Sequence, residues 1–158
     1  MANKHIDPYL NDINCIQRLV NEWVKHKSII IAYDYDNTVF DYHGFGYKFN
    51  TVKSMLRECK KYDAKFIVFS CSPPERHEEM IKYLDENDVP WDTINENIIE
   101  LHGGKGKLFY NILLDDRAGL KTALTILSVA LDVIKRNPSS EEEACLMLKS
   151  VYGKRINC

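Results

Sequence analysis

The sequence predicts an α/β fold: a doubly wound three-layer sandwich around a mostly parallel central sheet, with no large cap domain. Two observations predict it. Short apolar, β-branched runs lack polar alternation, which suits strands covered on both faces, and segments of helical period follow them. A third observation places the chemistry. The apolar runs end in polar residues, and open parallel sheets bind ligands beyond the carboxyl ends of their strands.

The elements follow in order. Asp7-Pro8 pairs a cap residue with a proline at the first helical position, and Leu10, Ile13, Ile16, Val20 and Val24 recur at helical spacing, so a helix is expected over 8–26. Ser28–Tyr33 reads as the first buried strand. The glycine-punctuated, aromatic segment Asp41–Tyr47 reads as a flap before a helix capped by Asn50. Lys65–Phe69 is the second strand, and Ser72-Pro73-Pro74-Glu75 has the form of a capping box opening a helix that runs to about Asp85. Val89–Ile94 and Asn111–Leu114 supply third and fourth strands. From Leu120, apolar residues at Leu124, Leu127, Leu131 and Ile134 mark a helix face. Ser139-Ser140 and Glu141–Glu143 start a last helix, with acidic groups favourable to its dipole, and Gly153 ends it. These elements read as one domain over 1–158: the N-terminal helix, a core over 28–136 and a helical extension over 138–153.

Composition narrows the function. At 158 residues the chain is long enough for a real core, and 45% apolar with 28% charged residues is a globular balance. With 21 basic against 23 acidic residues there is no broad positive field to draw nucleic acid or anionic lipid, so any phosphate affinity is local. Five cysteines without metal-type spacing, and no signal-peptide pattern, indicate a reduced, cytoplasmic protein with no membrane span. The five histidines show no zinc-ligand spacing. Trp23 and Trp91 read as packing residues.

The chemistry gathers at three strand ends. Asp34-Tyr35-Asp36-Asn37-Thr38 sets two carboxylates one residue apart, a concentration of charge that is costly without a cation. Mg²⁺, which prefers oxygen ligands and keeps waters that a phosphate displaces, suits it. Ser70-Cys71-Ser72 offers hydroxyls and backbone amides at a helix start, a phosphate cradle. A cysteine-phosphatase loop around Cys71 would need an arginine and more amides than this segment has. Asp115-Asp116 adds metal candidates, and Gly103-Gly104-Lys105-Gly106-Lys107 brings an ammonium group. Nucleophile, acid, metal cage, hydroxyl and lysine are the parts that phosphoryl transfer needs.

These residues resemble the haloacid dehalogenase (HAD) superfamily of phosphatases over about Ile29 to Leu120. Asp34–Thr38 looks like its first motif, Asp-x-Asp-x-Thr, and Ser70 like its second. Lys107 matches the third, with Lys105 as the alternative. Asp115-Asp116 matches the fourth, and with Arg117 is similar to phage polynucleotide kinase phosphatase domains and small phage and bacterial members. The resemblance implies a HAD-like Rossmannoid core. It implies Asp34 as nucleophile, Asp36 as general acid and base, Thr38 orienting the flap, Ser70 on a phosphoryl oxygen and Lys107 neutralising the intermediate. Mg²⁺ is then held by Asp34, the Asp36 carbonyl, and Asp115 or Asp116. The intervals after Val39 and after Cys71 are too short for a cap, which implies the capless class with an open site.

The expected substrate is a phosphorylated small molecule, with nucleotides, sugar phosphates, phosphoproteins and nucleic-acid ends as candidates, and a homo-oligomer fits the open site. His43 is a substrate-contact candidate. Tyr47 and the flap rings Tyr42, Phe45 and Phe49 either stack a base or pack among themselves, and Lys48 is placed for a second phosphate. Two other readings fit parts of the pattern. A phospho-receiver also forms an aspartyl phosphate, but places its acidic pair early and its acceptor later, the reverse of the order here. An inert interaction module keeps the fold without needing the complete set of site residues.

Overall fold

The structure, a computed structural model, describes residues 7–100, 106–153 and 156. They fall into two compact units. One combines the chain up to Lys27 with the chain from Thr125 on, and the other spans Ser28–Leu124.

The second unit holds the sheet. β1 (Ile30–Asp34), β2 (Lys65–Phe69), β3 (Thr93–Ile94) and β4 (Ile112–Leu114) lie in the order β3-β2-β1-β4, every pairing parallel. Helices α2 (Asn50–Lys60) and α3 (His77–Glu86) flank it, burying Val52, Leu56 and Cys59 from one and Met80 and Leu84 from the other. The result is a Rossmann-like α/β arrangement. Ile31, Ala32, Tyr33, Ile67 and Val68 are fully buried, as expected of strands covered on both faces. Ile30, Ala32 and Ile67 form a cluster against which Ile98, Leu108, Tyr110 and Leu113 pack.

The topology positions the site. β1 pairs with β2 on one side and with β4 on the other, so the chain reverses its direction of build-up at β1, where such sheets open a crevice. Asp34 is in register with Phe69, and Tyr33 with Leu114. Ser70 and Asp115, each one residue further on, therefore leave the sheet beside Asp34.

The strands are shorter than the apolar runs suggest because side chains continue the ladder. At β3, Asp92 Oδ2 accepts from Phe66 N at 2.7 Å and Asn95 Oδ1 from Ser70 N at 2.9 Å, so Val89–Ile94 contributes only Thr93–Ile94 as strand. At β4, Asn111 Oδ1 accepts from Ile30 N at 2.7 Å.

In the other unit, α1 (Asp12–His26) packs with α5 (Glu141–Tyr152), and Gln17 Nε2 approaches Cys145 Sγ at 3.5 Å. Helix α4 (Leu120–Ile134) has the bounds read from the sequence; its residues up to Leu124 belong to the sheet unit and the rest to this one. Ser140 caps α5, its Oγ accepting from Glu143 N at 3.1 Å, while Glu143 Oε2 accepts from Ser139 N at 2.7 Å. Trp23 is buried in α1. In the sheet unit, Trp91 is half-buried and donates from Nε1 to Asp85 Oδ1 at 2.9 Å.

Several local expectations need correction. The N-terminal helix does not run unbroken over 8–26: Pro8–Leu10 is a separate 3-10 turn, Asp7 caps nothing with its side chain, and Leu10 is exposed. Asn11, in extended backbone, caps α1 by accepting from Ile13 N at 3.0 Å. Asn50 does not cap α2, because Phe49 holds that position with a φ of 51°. The Ser72 box does not form. A 3-10 turn over Pro74–Arg76 precedes α3, and the Ser70 hydroxyl accepts from Ser72 N instead. Cys15, Cys59 and Cys71 are free thiols. No helix among the described residues is long and apolar enough to cross a membrane.

Candidate active site

A tight loop carries the two acids away from β1. Val39 N and Phe40 N both donate to Tyr35 O, at 3.1 and 3.0 Å, and Asn37 N donates to Phe40 O at 2.7 Å. Asn37 sits at a φ of 60°, a conformation that asparagine tolerates better than most residues. Tyr35 is buried and stacks on Phe40, with ring centroids 5.0 Å apart and planes 16° apart, and both rings meet Tyr83 edge-on. Burial raises the Tyr35 hydroxyl above its ordinary range, so the loop rests on a neutral aromatic floor.

Tyr83 also fixes the loop by hydrogen bonding. Its hydroxyl donates to Val39 O at 3.1 Å and accepts from the buried Lys53 Nζ at 2.9 Å, which also donates to Asn87 Oδ1 at 3.3 Å.

Three carboxylates converge above the loop. Asp34, Asp115 and Asp116 each offer an oxygen, all within 4.8 Å of one another. Thr38 ties them together: its buried hydroxyl donates to Asp34 Oδ2 and accepts from Asp116 N, both at 3.3 Å. Asp115 Oδ1 accepts from Arg117 N at 2.7 Å, which orients that carboxylate. The Asp34 carboxyl is raised to about 6, foremost by burial and then by repulsion from Asp115 and Asp116, with the Thr38 hydrogen bond opposing. Oxygen donors crowded against their own repulsion are the donor set of a hard divalent cation, so the residues fit Mg²⁺. Asp36 adds no carboxylate oxygen to this group; its Oδ1 is buried with no hydrogen-bond partner among the described residues.

The acids line a pocket of about 450 Å³. Asp34, Asp36, Asp115 and Asp116 share it with Ser70, Cys71 and Ser72, with Tyr42 and His43 from the flap, and with Arg76 and Arg117. The sequence-derived candidates thus separate. The acids, Ser70 and His43 come together, and Thr38 lies beneath them. Lys107 is exposed and borders an adjoining groove with Asn95 and Asn97; Phe69 and Ser70 border both spaces. Tyr47 and Lys48 are exposed and do not line the pocket. Lys105 lies outside the described residues.

Sequence reasoning missed two residues. Arg76 brings a guanidinium into the pocket and donates to Ser72 Oγ at 3.4 Å; the available signal was only its place four residues after Ser72. Asn95 holds Ser70 from both sides, its Oδ1 accepting from Ser70 N at 2.9 Å and its Nδ2 donating to Ser70 O at 2.6 Å. An asparagine directly after an apolar strand was the only hint of it.

No protein-family model matches the chain, and no curated protein is significantly similar to it. Among solved structures, the chain is similar to a conserved protein of Bacteroides thetaiotaomicron, with a TM-score of 0.52 and 22% identity, covering 69% of this chain and 91% of that one. At that identity the likeness is one of fold.

Proposed function

We propose that this protein is a capless phosphatase of HAD type that hydrolyses phosphate monoesters with Mg²⁺, through an aspartyl phosphate on Asp34. The observation that carries the reading is the convergence of the Asp34, Asp115 and Asp116 oxygens within 4.8 Å, in a pocket that also holds Asp36 and Ser70.

Asp34, Asp115 and Asp116 would hold the ion, with the Asp36 carbonyl as a further ligand that the family resemblance implies. Mg²⁺, when bound, offsets the mutual repulsion of the carboxylates and the charge on the phosphoryl oxygens. The chain's own groups do the rest. Asp34 attacks phosphorus through a carboxylate oxygen while the bond from phosphorus to the leaving oxygen breaks, which is nucleophilic catalysis. Asp36, as the acid, gives its proton to the departing alkoxide. It then takes a proton from water, whose oxygen attacks phosphorus; the bond to Asp34 breaks, inorganic phosphate leaves and the carboxylate is regenerated. Asp36 lines the same pocket as Asp34 and Ser70, which supports that role. Ser70 and Arg76 hydrogen-bond phosphoryl oxygens in this reading, supported by their sharing the pocket with Asp34, and Thr38 holds Asp34 in position. Lys107, from the groove next to Ser70, is the cation that the family pattern assigns to the intermediate.

Phosphate release from an aryl phosphate, with Mg²⁺ or with chelator, tests the reading. Wild type should be active only with the metal, and Asp34→Asn should lose at least about 1,000-fold in rate, on the scale of removing an essential nucleophile. Comparable release by the two proteins would rule out Asp34 as nucleophile.

A further inference from the structure

We infer that the flap is a stacking platform for a nucleobase, so that the phosphate ester cleaved at Asp34 belongs to a nucleotide; this rests on the phosphatase reading and narrows its substrate. Five rings form a continuous ladder. Tyr42 meets His43 edge-on at 5.2 Å, and His43 stacks on Phe45 at 5.3 Å with planes 21° apart. Phe45 meets Tyr47, and Tyr47 meets Phe49, each at 6.2 Å.

The ladder is not a core feature. Tyr42, Phe45 and Tyr47 are 56%, 72% and 65% exposed, where packing alone would have buried them. The loop is nonetheless held in shape. Asp41 Oδ2 accepts from Gly46 N at 2.6 Å and Tyr47 N at 3.1 Å, and Asp41 O accepts from Gly44 N at 3.2 Å. Gly44 and Gly46 adopt φ of 68° and 85°, turns open to glycine. Rings braced by one another on a pinned loop lose little entropy when a ligand stacks on them.

Continuity with the site selects the occupant. Tyr42 and His43, the first two rings of the ladder, line the same pocket as Asp34, Asp36 and Ser70, so a group stacked there is joined to a phosphate at the carboxylates. Arg76 and Arg117 line it too, two cations beside its four aspartates that can pair with an anionic ester. An aromatic surface running directly into a phosphate-binding pocket matches a molecule that is flat and apolar at one end and phosphorylated at the other. A nucleoside monophosphate has that form; a sugar phosphate lacks the flat end.

The test compares adenosine 5′-monophosphate with ribose 5-phosphate, which differ only in the base. Binding is measured by calorimetry with Mg²⁺ on the Asp36→Asn protein, which keeps all three carboxylates of the metal group and lacks the acid that turnover needs, and hydrolysis is followed on wild type. The nucleotide should bind about tenfold tighter than the sugar phosphate, the scale of one stacked base. Adding Tyr42→Ala and His43→Ala should erase that difference. Equal binding of the two ligands, failure of both to bind, or a preference that survives loss of both rings overturns the platform. Equal binding with wild-type hydrolysis of both ligands leaves the phosphatase reading standing alone. Selective nucleotide binding without hydrolysis supports the platform and discards the phosphatase reading. A flap used for self-association would instead appear as a concentration-dependent dimer lost in Phe45→Ala, with no preference for the nucleotide, and would also overturn the proposal.

Discussion

Replacing Asp34 with asparagine should make the metal-free protein more stable. The carboxylate is raised from 3.8 to about 6 by burial and by the neighbouring Asp115 and Asp116. An acid whose folded pKa lies above its unfolded value binds its proton more tightly when folded, so the folded state loses stability as pH rises through that interval. The cost is absent below 3.8 and complete above about 6. The shift corresponds to roughly 3 kcal/mol at about 1.36 kcal/mol per pKa unit. Asp34 is only half-buried, and solvent screening reduces this to about 1.5 kcal/mol. Asparagine removes the charge and keeps an oxygen for the Thr38 hydroxyl. For a chain of this size the gain is a rise in Tm of about 3–6 °C. Thermal unfolding in chelator should show that rise at pH 8 and little difference at pH 3.5. Saturating Mg²⁺ should then favour wild type, which binds the ion in its folded state. A variant that melts at or below the wild-type temperature at pH 8 without metal would refute the repulsion argument, and so would a gap of equal size at both pH values.

Two further outcomes concern groups that hold the structure. Thr38→Val keeps the shape but removes the hydroxyl between Asp34 and Asp116 N; urea unfolding should show a loss of about 1–2 kcal/mol, and calorimetry about tenfold weaker Mg²⁺ binding. Ser140→Ala removes the cap of α5 and should cost about 1 kcal/mol in the same denaturation assay.

Much of this fold was legible because buried apolar runs decide strands almost by themselves. Lys65–Phe69 emerged with the expected bounds, as did the helix from Leu120 to Ile134. Helix starts were less legible, since each depends on the backbone angle of a single residue. Asn50 and Ser72 are good cap types, but a left-handed Phe49 and the 3-10 turn at Pro74 settled those ends differently. The site was legible where chemistry coincided with strand ends: with Asp34 in register with Phe69 and Tyr33 with Leu114, the next residues, Ser70 and Asp115, leave the sheet beside Asp34. Arg76 and Asn95 were not legible, because their part depends on a contact across the fold or on the turn geometry after a proline pair. Neither is a property of local sequence. The placing of Lys107 in the next groove likewise depends on Asn97, whose side chain bonds Lys107 O at 3.3 Å and Phe109 N at 2.7 Å.

One phenol staples the flap at both of its roots. The Tyr83 hydroxyl grips Val39, just before the flap, and the ammonium of Lys53, just after it. The two ends of the flap are therefore not independent, since both are tied to the sheet unit through one oxygen atom, and whatever loosens that phenol loosens them together.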